Sequence, residues 1–430
     1  MNEALILALV FAVLLFTGVP IAFAIGLAAV TGLMVSLDPA AATTVVAQRM
    51  AGGLNSFALL AIPFFILSGD LMNRGGIARR LIDFAKVVVG RLPGGLAYVN
   101  ILANMLFGSI SGSAVAAAAA NGGFMAPLMK REGYDPEYSA SVNVSSAVTG
   151  LLIPPSNIMV VYSLASGGVS IAALFIAGYV PGLLLGLALM AVAGIIAKKR
   201  NYPVGEKTEF RVALDIFFAA VPAMLLIAIV MGGIILGWFT PTEASAIAVL
   251  YTFILSVLVY REVKWSQLPE LFTRSAATTA IVLLLVATST GMSWVMSSAN
   301  IPQTISAALL AMSENKEVLL LIINGLLLVV GTFMDMTPAV LIFTPIFLPV
   351  MAKLGMDPIH FGIVMIFNLC IGLCTPPVGS VLFVGCGVGG TTIAKIWRPL
   401  LPFFFVMVLV LLAVTFWPAL SLALPRALGF

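Results

Sequence analysis

Apolar runs of 18 or more residues follow one another along this 430-residue chain, and the charged side chains collect in short stretches between them. A run of that length spans a hydrocarbon core ~30 Å thick. In hydrocarbon every backbone amide must pair within the protein, so these runs predict helices. Barrel strands would alternate apolar and polar residues, and these runs do not. The first two predicted helices, 3–17 and 19–37, meet at the turn Gly18-Val19-Pro20, and a third span covers 54–72. Residues 76–92 differ. Ile77, Leu81, Phe84, Val88 and Leu92 share one face and Arg79, Arg80 and Lys86 lie elsewhere, the pattern of an amphipathic helix in the membrane interface.

The pattern then breaks. Residues 94–129 are apolar, flanked by Arg91 and Lys130-Arg131, and interrupted by Gly108-Ser109-Ile110-Ser111-Gly112-Ser113. Divided there, the run is too short for two crossings and predicts a re-entrant hairpin that enters and leaves on one side. A span at 138–166 is interrupted from Gly150 to Asn157, and one at 171–197 ends on Lys198-Lys199-Arg200. The second half follows the same plan. Spans 212–238 and 244–260 flank Thr240-Pro241-Thr242, span 275–298 follows, and 301–312 is weakly amphipathic. A hairpin at 317–351 is interrupted from Gly331 to Pro338, a span at 358–385 from Gly372 to Gly379, and a last span covers 399–423.

Fixed offsets relate the halves. The two Pro-Pro pairs, Pro154-Pro155 and Pro376-Pro377, lie 222 positions apart (376 less 154), and each closes a G-L-x-x-P-P string that starts at Gly150 or Gly372. Gly108-Ser109 and Gly331-Thr332 are offset by 223 (331 less 108), and Pro20 and Pro241 by 221 (241 less 20). The chain therefore reads as an all-α polytopic membrane protein with two inverted-topology repeats, 1–211 and 212–430. Each holds five transmembrane helices and one re-entrant helical hairpin. An odd number of crossings inverts the second repeat, an arrangement of many secondary transporters with their site at the repeat interface.

Charged residues make up only 9% of the chain, against roughly 25% in soluble domains. No stretch is therefore expected to fold as a separate soluble domain. Fifteen of the 21 lysines and arginines fall in four stretches, Arg74 to Arg91, Lys130-Arg131, Lys198 to Arg211, and Arg261 to Arg274. The positive-inside rule makes these cytoplasmic and leaves both termini outside, and the net charge of +4 gives no reason to expect nucleic acid. The first apolar stretch lacks a basic leader and is expected to belong to the mature protein. Cys370, Cys374 and Cys386 read as small core thiols, and His360, the one histidine, as structural. A membrane-embedded enzyme would need a nucleophile with a base in reach, and a primary pump a G-x-x-x-x-G-K-[ST] string; neither occurs.

The interruptions carry the candidate chemistry. A helix broken inside the membrane exposes carbonyls and amides that only protein, water or an ion can satisfy. Pro154 and Pro155 remove amide donors, and the carbonyls freed between Gly150 and Asn157 are hard oxygen ligands suited to Na⁺. The first tip adds the hydroxyls of Ser109, Ser111 and Ser113; the second half supplies Thr332, Asp335 and Thr337 at its tip, with Thr375 and Ser380 at its break. Half-helix N-termini there would face an anionic substrate. Asp335 is an ionisable residue near mid-membrane and a functional candidate on that ground, whereas Asp70 and Glu243 lie near span ends and read as capping or interfacial.

At these residues the chain resembles the large membrane subunit of tripartite ATP-independent periplasmic (TRAP) transporters. The carriers are F-G-S-I-S-G-S-A at Phe107–Ala114, I-P-P-S-N at Ile153–Asn157, G-T-F-M-D-M-T-P at Gly331–Pro338 and G-L-C-T-P-P-V-G at Gly372–Gly379. The resemblance implies an elevator-type, Na⁺-driven importer in the bacterial inner membrane, with a fixed scaffold and a moving transport domain. It implies two partners, a small four-helix membrane subunit and a periplasmic substrate-binding protein that delivers an organic acid such as a sialic acid or a C4-dicarboxylate. This chain would be the unfused form. By the same resemblance, one Na⁺ site uses Ser109 and Ser111 with Gly150, Ile153 and Pro154. The other uses Gly331 and Thr332 with Gly372 and Thr375. Ser113, Ser156, Asn157, Asp335 and Thr337 would lie nearest the substrate. The alternative is a stand-alone Na⁺- or H⁺-coupled carboxylate symporter that needs no binding protein.

Overall fold

A computed structural model of the chain describes residues 3–205, 209–313, 315–376 and 378–430, so Pro377 of the second Pro-Pro pair and Lys207 of the third basic stretch lie outside the described residues. The paired helices at the start are α1 (Glu3–Phe16) and α2 (Ile21–Leu33). A helix unexpected from the sequence follows, α3 (Pro39–Leu54). Asp38 starts it by accepting from the amides of Ala40 and Ala41, and Pro39 opens its first turn. Its threonines, Gln48 and Arg49 break the apolar run that would have marked it. Next come α4 (Ala61–Arg74), entered through the tight turn Phe57–Leu60, and α5 (Ile77–Val89). The latter is the expected amphipathic helix, but its buried stripe is Ile77, Ala78, Leu81, Ile82 and Ala85, with Val88 and Leu92 exposed.

The first hairpin is α6 (Gly95–Ser111) and α7 (Ala114–Arg131). The fold-back is fixed by polar contacts between the two arms. Asn121 donates to Asn104 at 2.7 Å, and farther out Asn100 reaches the Met129 sulfur at 4.0 Å. The broken span is α8 (Pro136–Ala147), α9 (Thr149–Leu152) and α10 (Asn157–Ala165), bent by 52° at the break. The half closes with α11 (Ile171–Lys199).

The second half runs α12 (Phe210–Ile235), α13 (Pro241–Phe253) with a π-helical continuation Ile254–Val259, α14 (Leu268–Ser298) and α15 (Ile301–Met312). Its hairpin is α16 (Lys316–Phe333) and α17 (Met336–Lys353), and its broken span is α18 (Pro358–Gly372) and α19 (Ser380–Gly389). Both hairpin arms meet α18 at one level: Asn368 donates to the Asn324 side chain of α16 at 2.8 Å, and Thr344 of α17 meets Met365 at 3.3 Å. Residues 324 and 344 stand equally far from the tip, so this pair also folds back. The last span stops earlier than its apolar pattern, as α20 (Ile393–Phe416) and a separate α21 (Ala419–Ala427) with Pro418 between them. Among the described residues, eight helical stretches are long and apolar enough to cross a membrane, with a ninth if the bent span counts as one.

All four basic stretches gather at one end of the molecule. Arg74 pairs with Glu270 at 2.7 Å, and Arg80 meets Glu262 at 3.4 Å while lying 3.7 Å over the Tyr260 ring. Arg200 pairs with Asp135, Tyr202 donates to the same carboxylate at 2.7 Å, and Tyr134 stacks on Tyr202 at 4.3 Å. Burial pushes the Tyr134 phenol up to about 12, so this cluster stays uncharged at that ring under physiological conditions. Arg79, Lys86 and Arg131 share a cleft beside it.

Two residues singled out in the sequence are structural. His360 is buried, with Nδ1 2.7 Å from the Ser421 hydroxyl and Nε2 3.3 Å from the Thr415 carbonyl oxygen, partners on the last two helices that the sequence did not reveal. Glu243 closes a capping box with Thr240 at the start of α13. Asp70 accepts from Ser275 at 2.5 Å. The three cysteines are buried and unpaired.

Candidate functional site

Each hairpin is pressed onto its broken span through a pair of glycines. A Cβ built on Gly150 would stand 2.2 Å from the Gly108 Cα, and one on Gly372 would stand 2.5 Å from the Gly331 Cα. Only glycine permits backbones this close, so three of the expected ion-site glycines bring carbonyl-bearing chain together rather than contributing side chains. The first break is held from behind by a glycine stripe on α11. Gly178 faces the Leu152 carbonyl and Gly182 faces Ile153, at Cβ distances of 2.2 and 2.5 Å. The G-x-x-x-G-x-x-x-G spacing of Gly178, Gly182 and Gly186 was the available signal for this surface.

Buried amides fix hairpin to break. Asn104 of α6 donates to Asn143 and Ser146 of α8 at 3.2 and 2.7 Å, and Asn143 donates to the Ala118 carbonyl of α7 at 2.8 Å. In the second half Asn324 reaches Thr415 at 3.3 Å and receives Asn368. None of these asparagines was singled out by sequence, although an amide in an apolar span is costly without a partner.

At the tips the hydroxyls donate backward. Ser109 donates to the Leu106 carbonyl at 2.8 Å, Thr332 to Val329 at 2.7 Å, and Thr375 to Ile371 at 2.8 Å; Ser111 lies 3.5 Å from the Ser113 carbonyl. A hydroxyl whose one proton is committed in this way presents only lone pairs to what lies in front of it. Ile153 and Pro154 sit buried in extended chain between α9 and α10. The candidate ion residues thus lie in two groups, one at each hairpin and break.

The substrate candidates converge. A cavity of about 220 Å³ is lined by Ser113, Asn157, Asp335 and Thr337, and closed by Leu151 and Leu373 from the two breaks. Ser113 caps α7, accepting from Ala116 at 3.2 Å. Asp335 occupies the N-cap of α17 without a side-chain capping bond and is exposed. Gly112, with φ of 60°, brings the tip against the Asn157 amide group, at a Cβ distance of 3.3 Å. Ser156 lies one residue behind the lining, fully buried. Among the described residues the Ser156 hydroxyl, the Asn157 amide oxygen and the Ser380 hydroxyl are buried with no hydrogen-bond partner, and all three stand at the N-termini of the half-helices α10 and α19. Buried polar atoms of proteins are normally satisfied, so these three atoms make the two half-helix N-termini candidates for contact with water, an ion or a ligand. The sequence missed the opposite wall, Ile62 and Ile66 of α4 with Thr278 and Val282 of α14. Contact with α4 is close, since a Cβ on Gly69 would stand 3.0 Å from the Ser111 carbonyl oxygen.

The chain is 43% identical to the C4-dicarboxylate TRAP transporter large permease protein DctM of Pseudomonas aeruginosa over 373 residues, 87% of either chain. It is 39% identical to the sialic acid TRAP transporter large permease protein SiaM of Vibrio cholerae over 413 residues, 96% of either chain. The crystal structure of the Alcanivorax borkumensis YdaH transporter shares the fold, with a TM-score of 0.67 at 12% identity over 97% of this chain and 98% of that one. The model of the tripartite ATP-independent periplasmic transporter DctM component matches residues 8–420. A multi-pass helical chain with hairpins clamped to broken spans, whose tips meet at a cavity holding Ser113, Asn157, Asp335 and Thr337, thus belongs to this family: it is a large permease of the TRAP transporters, a secondary transporter and not an enzyme.

Proposed function

We propose that this permease imports a small organic acid together with Na⁺. The observation that carries the reading is the cavity between the tips, where Ser113, Asn157, Asp335 and Thr337 meet beside half-helix N-termini whose polar atoms lack partners. Half-helix N-termini and amide donors suit a carboxylate. The lone pairs of Ser109 and Ser111, with carbonyls of Gly150 to Pro154, suit one Na⁺; those of Thr332 and Thr375, with carbonyls near Gly331 and Gly372, suit a second. The chemistry Na⁺ supplies is positive charge, which would offset Asp335 and let that carboxylate share a cavity with an anion. The substrate class is proposed by analogy with relatives named for C4-dicarboxylate and sialic acid.

The two hairpins and their breaks, each tied by buried amides, are proposed to move as one body against α1 to α4 and α12 to α14, the elevator arrangement, with the repeats divided near residue 211. The end that gathers the basic stretches is assigned to the cytoplasm and both termini to the periplasm of the bacterial inner membrane. A small four-helix membrane subunit and a periplasmic binding protein are the proposed partners. The test is uptake of succinate, N-acetylneuraminate and 2,3-diketogulonate in proteoliposomes containing both partners. One acid should accumulate when Na⁺ is higher outside and not without that gradient. Accumulation driven equally by a proton gradient alone would overturn Na⁺ coupling, and accumulation without the binding protein would favour a stand-alone symporter.

A further inference from the structure

A second cavity, of about 310 Å³, lies farther along the helices that line the first. α14 supplies Thr278 and Val282 to the inner cavity, then Ser289, Ser293 and Ser297 to this one. α10 supplies Asn157 to the inner cavity and Leu164 here, and α17 supplies Thr337 there and Leu341 here. At 1.5 Å per residue the two cavities are offset by roughly 10 Å along α10 and roughly 20 Å along α14. α14 starts at the basic end of the molecule, where Glu270 meets Arg74, so the second cavity faces the opposite end.

The fourth wall is α3. A Cβ on Gly53 would stand 2.5 Å from the Thr290 hydroxyl, so α3 and α14 touch almost backbone to backbone. One turn earlier, Arg49 reaches across and lies over Trp294, 4.9 Å from guanidinium carbon to ring centroid. Arg49 is exposed, and among the described residues no carboxylate lies within ion-pair distance of it. Beside it the Ser289 hydroxyl is buried, faces the cavity and has no hydrogen-bond partner among those residues. A guanidinium held on a ring, with hydroxyl donors at its side and no countercharge, is a site for a carboxylate.

We propose that Arg49, Ser289 and Ser293 form a loading station that captures the carboxylate of an organic acid before it moves on to the cavity at Asp335. The station rests on the organic-acid reading given under Proposed function, but its electrostatics can be tested without transport. The variant Ser293→Cys would be labelled with an anionic reagent, sulfonatoethyl methanethiosulfonate, and a cationic one, trimethylammonioethyl methanethiosulfonate, with and without Arg49→Gln. The three native cysteines are buried and give a low background. Arg49 and Ser293 line the same cavity. A charge acting across about 5 Å of water changes the anionic-to-cationic rate ratio roughly tenfold, so Arg49→Gln should lower the ratio by that order and Arg49→Lys should restore much of it. A ratio unchanged by Arg49→Gln, or no labelling of Ser293→Cys in protein that elutes as folded, overturns the station. Ser297→Cys provides a second reporter. Uptake failure with intact charge selectivity would count against the transport reading alone.

Discussion

Two half-chains send a helix N-terminus into one cavity, and their capping residues behave differently. Ser113 opens α7 and turns its hydroxyl onto its own helix, accepting the Ala116 amide at 3.2 Å. Asp335 opens α17, 222 positions on (335 less 113), and makes no capping bond. A serine cap of this kind contributes about 1 kcal/mol to its helix. A carboxylate at membrane depth costs several kcal/mol unless something offsets it. The same backbone position thus carries a cap committed to its own helix in one half and a carboxylate with no side-chain capping bond in the other. The breaks differ as well: the first is backed by the α11 glycine stripe.

Forcing each hairpin off its broken span gives the largest effects. Gly150→Val and Gly372→Val put side-chain atoms where the Gly108 and Gly331 backbones stand, and should cost about 1–3 kcal/mol or more. Uptake should vanish and monodisperse yield on size exclusion should fall for both, while Gly123→Ala, with nothing within 4 Å of its Cβ, should match wild type.

Removing single oxygen donors sharpens the comparison with a smaller effect. Ser109→Ala at the first tip and Thr332→Val at the second should each raise half-saturating Na⁺ roughly tenfold, about 1.4 kcal/mol, in uptake titrated against Na⁺. If only one variant shifts, the two hairpins do not both bind cation.

The smallest effects come from the amide clamps. Asn104→Ala should lower stability by about 0.6 to 1.7 kcal/mol, read as a drop in melting temperature of the detergent-solubilised protein. Asn324→Ala should cost less, because Asn104 joins Asn121, Asn143 and Ser146 whereas the Asn324 side chain joins only Thr415 and Asn368 among the described residues.

Much of this arrangement was legible in the sequence because membrane depth leaves few alternatives. Pro154 and Pro155 could not continue a helix, and the structure breaks there, between α9 and α10; 301–312 emerged with its bounds intact. The four tip and break strings also led to the cavity residues Ser113, Asn157, Asp335 and Thr337. What stayed hidden depends on partners far away in the chain. α3 has too many polar residues to announce itself by hydropathy, yet its Gly53 is shaped for Thr290. Thr278 is an ordinary threonine on an apolar helix until folding sets it opposite Asp335. The end of α20 is fixed at Phe416, and α21 then supplies Ser421 to His360, which no local pattern could disclose.

We propose that transport depends on Asp335, whose charge Na⁺ would offset, more strongly than on Ser113 at the other tip. The most direct measurement is the initial rate of Na⁺-driven uptake for Asp335→Ala beside Ser113→Ala, in complexes matched for folded protein. Asp335→Ala should lose at least tenfold and Ser113→Ala no more than a few-fold. Wild-type uptake by Asp335→Ala would contradict that dependence.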